Sequence, residues 1–226
     1  MEAPLVIKES PRAKVMRLRV DPRTGSVLLT VPRRVSRKRA VEWASGHRAW
    51  IEAALAKVPA QIEIRPGAVI PFRGEPHEVA WQKDLPRSAR VQDGRILIGG
   101  PIEGLEARLL RWMKREAHRV LEADTLEYAA KAGVEIRQVG VGDTVSRWGS
   151  CSGSGAIRYS WRLILAPDWV RRATAAHEVA HRVHMDHSPS FHALVRQLYG
   201  EDPTPARQWL RKEGASLHRV GTRKSA

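Results

Sequence analysis

The sequence contains a single cysteine, Cys151, so no internal disulfide can form and the chain is expected to hold its fold in a reducing compartment. Nothing in its own stretch equips Cys151 as a nucleophile, and it reads as a small buried residue on a strand. No apolar run approaches the ~18–20 residues of a membrane helix. The first residues, Met1-Glu-Ala-Pro-Leu-Val-Ile-Lys8, lack the basic start and the apolar core of ~7–15 residues of a secretory signal. A cytoplasmic protein with no membrane partner is the expectation. Phenylalanine is scarce, two residues against eight tryptophans, and the tryptophans are expected to serve mostly as large core and edge anchors.

Acidic residues are also short, 24 against 39 basic, which gives a net charge of +15 and a pI near 10.9. Such a surplus attracts phosphate backbones or acidic partners. An arginine-rich genome would produce it too. Residues 1–104 carry 19 basic and 11 acidic residues and residues 105–226 carry 20 and 13, so the surplus is dispersed on this division. A possible nucleic-acid partner would meet a dispersed basic surface, densest at Arg33-Arg34, Arg37-Lys38-Arg39 and Arg219 to Lys224. The apolar share of 42% and charged share of 28% are those of an ordinary globular protein of one or two compact units.

What is present is concentrated between Ala175 and Phe191. His177 and His181 are four apart, so on a helix they lie on one face about one turn (~5.4 Å) apart and can aim two imidazoles at one cation. Glu178 is turned ~100° from His177 around such a helix, beside the metal, as a candidate base for a zinc-bound water. This is the H-E-x-x-H spacing of zinc peptidases. Two residues compete for the third ligand. His184 follows His181 by three, but one straight helix rarely wraps three side chains round a tetrahedral ion. His187 would lie ~9 Å too far along a straight helix, so the chain must turn first. Asp186, which tolerates left-handed backbone, and Ser188-Pro189, an N-cap followed by proline, supply that turn. The preferred ligand set is therefore His177, His181 and His187 holding Zn2+, with a fourth position open. His184 is then a surface or supporting histidine.

These residues, with Arg147-Trp-Gly-Ser-Cys-Ser152 and Ser160-Trp-Arg-Leu-Ile-Leu-Ala166, resemble the YgjP-like metallopeptidase family, whose pattern is W-G-S-C-S, N-W-R-L and H-E-L-x-H-x-x-H-M-x-H-S-P-x-F-W. The resemblance implies a zincin-like domain, distantly related to the WLM and SprT-like proteases, with His177, His181 and His187 as metal ligands and Glu178 as catalytic acid/base. Ser160 stands where the family has Asn, and His192 where it has Trp. The resemblance also places the strands of residues 135–165 beside the metal helix, where an extended substrate can pair with them. Trp148, Ser150 and Tyr159 are candidates for lining that cleft, with sheet packing as the plain alternative for each.

Along the rest of the chain, alternation from Leu5 to Val31 about a turn at Asp21-Pro-Arg-Thr-Gly25 predicts a β-hairpin. Ser36 then caps a helix to about Ala56. Gly67 to Trp81 and Arg90 to Ile98 read as strands, the latter turning at Asp93-Gly94. His77 reads as a surface strand residue. Glu103 to Ala132 is a long core helix ended by Gly133, on which His118 is structural. Ile136 to Val141, Arg147 to Ser152 and Ile157 to Leu165 read as strands. Pro167-Asp168 opens the metal helix, Ser188-Pro189 a helix to Tyr199, and Thr204-Pro205 the last one.

The expected fold is α+β, a zincin-like domain at 102–216 whose active-site helix packs on a small mixed sheet. A β-rich N-terminal unit with one helix (1–101) precedes it and a frayed basic tail (217–226) follows. The expected function is a zinc metallopeptidase that hydrolyses peptide bonds of a protein or peptide through a metal-bound water and Glu178. The rivals are a metal-dependent nuclease acting on RNA and a non-catalytic zinc domain that binds nucleic acid. A ribosomal-RNA-processing ribonuclease family shares His-x3-His-x5-His but has glycine at the position of Glu178. A purely structural zinc site has no need of that carboxylate.

Overall fold

A computed structural model of the protein describes residues 4–21 and 24–221. Contacts divide the chain into two compact units, Met1–Ala60 and Gln61–Ala226.

In the first unit, β1 (Leu5–Ser10), β2 (Arg17–Val20) and β3 (Val27–Pro32) form one sheet in the order β1-β3-β2. The expected hairpin is the antiparallel pair β2–β3, whereas β1 pairs in parallel with β3. β3 takes the centre because Val27, Leu29 and Val31 alternate onto one buried face. In the turn between β2 and β3 the Gly25 N–H donates to the Asp21 carbonyl at 2.8 Å, and Pro22 and Arg23 lie outside the described residues. The single helix expected after Ser36 is two, α1 (Arg37–Ser45) and α2 (Arg48–Leu55). Ser36 caps α1 as expected, accepting from the Arg39 N–H. The break at Gly46-His47 follows from the low helix propensity of glycine and from His47, whose Nδ1 turns back 2.8 Å from the Trp43 carbonyl at the end of α1.

In the second unit, β4 (Val69–Phe72), β5 (Glu75–Trp81), β6 (Arg90–Gln92) and β7 (Arg95–Ile98) make a sheet in the order β4-β5-β7-β6. Asp93-Gly94 joins β6 to β7 with positive φ at both residues (49° and 69°), the turn that the sequence predicts. This sheet shares one apolar core with the long helix α3 (Leu105–Ala132), which ends at left-handed Gly133. A second sheet, β8 (Gln138–Gly142), β9 (Gly149–Cys151) and β10 (Ala156–Ser160), has the order β8-β10-β9. β10 is parallel to β8 and antiparallel to β9, which leaves β9 at an edge. The strand expected to reach Leu165 stops at Ser160 and continues as a 3₁₀ turn, Trp161–Ile164. Every residue from Trp161 to Ala166 is buried, and a strand alternating between two faces does not bury such a run on one side.

Three helices complete the unit: α4 (Asp168–Ala180), α5 (Pro189–Tyr199) and α6 (Thr204–Leu217). Charge fastens α4. Arg171 Nε donates to Asp124 on α3 at 2.7 Å, Arg172 bridges Asp124 and Glu127, and Asp168 joins Arg171 to Arg73 at the tip of the β4–β5 turn. Around the same tip the Arg73 N–H donates to the Ile164 carbonyl at 2.7 Å and a Cβ on Gly74 would lie 2.8 Å from Pro167. Both α3 and the first sheet of this unit therefore hold the start of α4.

The chain beyond α6 is folded as far as Gly221 rather than frayed from 217. Leu217 and Val220 are buried, and Val220 bridges to Ile62. Residues 222–226, with Arg223 and Lys224 of the expected basic tail, lie outside the described residues. The architecture is mixed α+β, as expected. Among the described residues, no helix is long and apolar enough to cross a membrane.

Candidate metal centre

α4 carries His177 and Glu178 in its last turn, and His181 is the residue that closes it. The chain then bends and returns through His187 before Ser188 caps α5, its Oγ accepting from the Phe191 N–H at 3.4 Å. The reversal expected at Asp186 is real, but its chemistry differs. Arg73 and Asp93 are the non-glycine residues with positive φ among those described, and Asp186 works through its side chain, Oδ1 accepting from the Ser188 N–H at 3.2 Å.

This reversal brings His177, His181 and His187 together, with one ring nitrogen from each lying within 4.8 Å of the others. Phe191, fully buried, underlies them. Its ring centroid is 4.9 Å from that of His177, 4.5 Å from His181 and 4.8 Å from His187. Residue spacing gives Phe191 no part in the cluster; it sits in the first turn of α5, where its N–H donates to the Ser188 cap.

The donor set suits a metal ion. Burial, helped by the neighbouring imidazoles, pushes His177 down to about 4, so it is a neutral base at pH 7. Burial also lowers His181, against the opposing pull of the His184 carbonyl. That carbonyl lies 3.0 Å from His181 Nδ1. A carbonyl only accepts, so Nδ1 carries the proton and Nε2 keeps its lone pair for a cation. His184 thus contributes through its backbone, and its side chain stands outside the cluster of three.

Glu178 is 5% exposed, and burial raises its carboxyl to about 7 against the lowering influence of Arg147. Gly149 of β9 makes room for it. A Cβ at position 149 would lie 2.5 Å from Glu178 Oε1 and 2.6 Å from its Cγ. The preceding Trp148 is set by α6: its indole lies against Gly214, where a Cβ would come within 2.7 Å, and 5.0 Å from the His218 ring.

Two hollows meet at His177 and Glu178. One, of about 200 Å³, is walled by Trp148, Ala173, Val195, Ala206 and Leu210, with His192 and Arg207 also on its lining. The other runs past Arg147, Ser150, Cys151, Met185 and the three histidines. Trp148 and Ser150 therefore line the cleft. Tyr159 does not; it is fully buried and its hydroxyl pairs with Thr125 at 2.9 Å. Cys151 is half-buried on the cleft wall rather than buried, and desolvation raises its thiol pKa, which disfavours the thiolate. His77 sits on β5 against Phe72, and His118 Nε2 lies 3.1 Å from the Val139 carbonyl, tying α3 to β8. Ser160, at the position where the pattern has Asn, is buried, and its Oγ has no hydrogen-bond partner among the described residues.

Three imidazoles that converge where α4 ends and the chain turns toward α5, with a buried carboxylate in the last turn of α4, are the kind of site that a metallopeptidase-type domain carries. The family described as "YgjP-like, metallopeptidase domain" matches residues 14–213, and the chain belongs to it. Searches of curated proteins and of solved structures gave no match. Membership implies a metal cofactor and a protein or peptide substrate, and the three histidines are where the fold can hold a metal.

Proposed function

We propose that the protein is a zinc-dependent peptidase in which His177, His181 and His187 hold the ion and Glu178 is the general acid/base. The observation that carries this reading is the convergence of the three imidazoles beside the buried carboxylate of Glu178. An all-nitrogen set of three imidazoles suits zinc and leaves a coordination position open. A zinc ion so held would supply Lewis acidity to the scissile carbonyl and to the attacking water. Glu178 accepts the attacking water's proton and returns it to the leaving amine.

The substrate lies along the exposed edge of β9, where backbone pairing gives grip without sequence preference. Ser150 lines that side of the cleft, and the Trp148 hollow accepts an apolar side chain adjoining the scissile bond.

The test compares zinc-loaded wild type with Glu178→Gln on an unstructured protein, counting fragments by mass spectrometry and zinc by elemental analysis. Cleavage by wild type, a loss of about 10²–10⁴-fold in the variant and equal zinc in both are expected. Equal cleavage by the two proteins would remove Glu178 from the mechanism.

A further inference from the structure

The compact unit Met1–Ala60 holds 13 basic and 5 acidic residues, a surplus of +8, whereas residues 61–104 hold 6 of each. The division at residue 104 averaged a basic module with a neutral stretch. Once the fold sets the boundary at Ala60, the excess of the N-terminal half belongs to the first unit alone.

That unit contains a groove of about 440 Å³ between the edge strand β2 and the helix α2. Leu18, Val20, Ala54 and Val58 are half-buried in it, and Arg17, Arg19, Trp50 and Lys57 are exposed along it. Trp50 lies on α2 and is 49% exposed, and Lys57 follows in the turn just past the end of that helix. Arg17 and Arg19 alternate to the same side of β2 about 6.8 Å apart, close to the separation of consecutive phosphates in an extended single strand. None of Arg17, Arg19 and Lys57 has an ion-pair partner among the described residues. The first turn of α1 adds Arg37, Lys38 and Arg39 with no acidic residue, charges that oppose the helix dipole and so work against the unit's own stability.

We propose that the groove between β2 and α2 binds a single-stranded polynucleotide, with Trp50 stacking on a base and Arg17, Arg19 and Lys57 pairing with phosphates. Unpaired cations supply sequence-independent attraction, and an exposed indole beside them supplies the stacking platform that single-strand binders combine with such charge. An acidic protein segment would satisfy the arginines but leave the indole without a base, and a duplex keeps its bases stacked away from it. The proposal is independent of the peptidase reading.

The test is fluorescence anisotropy of the full chain with fluorescein-labelled 12-mers of dT and rU, a 12-base-pair duplex and polyglutamate, across a salt series. Binding of the single strands is expected, with dT and rU separating DNA from RNA as the source. Arg17→Gln/Arg19→Gln should weaken binding at least tenfold and reduce the log–log salt slope by about 1.4, at about 0.7 per phosphate contact. Trp50→Ala should weaken it about 5–150-fold with the slope unchanged. The same charge loss in the second unit, Arg90→Gln/Arg111→Gln, should do neither. Absence of single-strand binding at 50 mM salt, equal or tighter binding of duplex or polyglutamate, or insensitivity to both groove variants would overturn the proposal.

Discussion

Gly149 and Glu178 are fitted to one another: the carboxylate arm of Glu178 occupies the space that a side chain at 149 would need, 2.5 Å from Oε1 and 2.6 Å from Cγ. The glycine after Trp148 is thus explained by contact with the carboxylate, since its backbone φ is not in the left-handed region.

Gly149→Ala should therefore displace Glu178 while leaving the three histidines in place. Peptidase activity is expected to fall by about 10²-fold or more, as for a misplaced catalytic group, with zinc content unchanged. Wild-type activity in this variant would show that the carboxylate relaxes freely and that the fit is incidental.

The two histidines that competed for the third ligand separate cleanly. His187→Ala removes a ring of the cluster and should cost at least tenfold in zinc affinity, read by competition with a chromogenic chelator. His184→Ala keeps the carbonyl that receives His181 Nδ1 and should bind zinc like wild type. The reverse result would exchange their roles.

The hollow beside Trp148 predicts a preference for a large apolar residue adjoining the cleaved bond. Leu210→Trp reduces its volume of about 200 Å³ and should shift cleavage toward small residues, with zinc binding intact. Cleavage-site profiling of a peptide library reads the shift, and an unchanged profile would place the substrate side chain elsewhere.

The clamp between α3 and α4 predicts a pH dependence of stability. Hydrogen bonds from Arg172 and then Lys131 pull Glu127 down to about 2, below its ordinary carboxylate value. A depressed carboxylate stabilises the fold above its unfolded pKa of ~4.3, and the contribution fades as pH falls toward about 2. The group is 40% exposed, so solvent screening keeps the effect small. Glu127→Gln should lower Tm by about 1–3 °C at pH 6.5 and by progressively less as the pH falls from about 4 toward 2, as measured by scanning calorimetry.

The stretch that carries the chemistry was legible because its signals are local. The four-residue step from His177 to His181, the Ser188 cap with Pro189, and the stops at Gly133 and Gly200 depend on helix geometry within a few residues. Local patterns misled where neighbours overrule them. The alternation after Arg158 cannot show that Trp161 to Ala166 meets apolar surface on every side and coils into a 3₁₀ turn. Tyr159 reads like a cleft residue until Thr125, thirty-four positions away, accounts for its hydroxyl.

The sequence by itself determined the family, the four helices from α3 to α6 and the candidate ligand set, because each rests on residue types at short spacing. Only the tertiary structure decided where the compact units divide, and with that where the positive charge gathers. Only it showed Phe191 beneath the three imidazoles, Gly149 yielding its space to Glu178, and α6 holding Trp148 through Gly214. Phe191 with His177, Gly149 with Glu178 and Trp148 with Gly214 are 14, 29 and 66 positions apart, and chain spacing carries no record of such a contact until the core has closed around it.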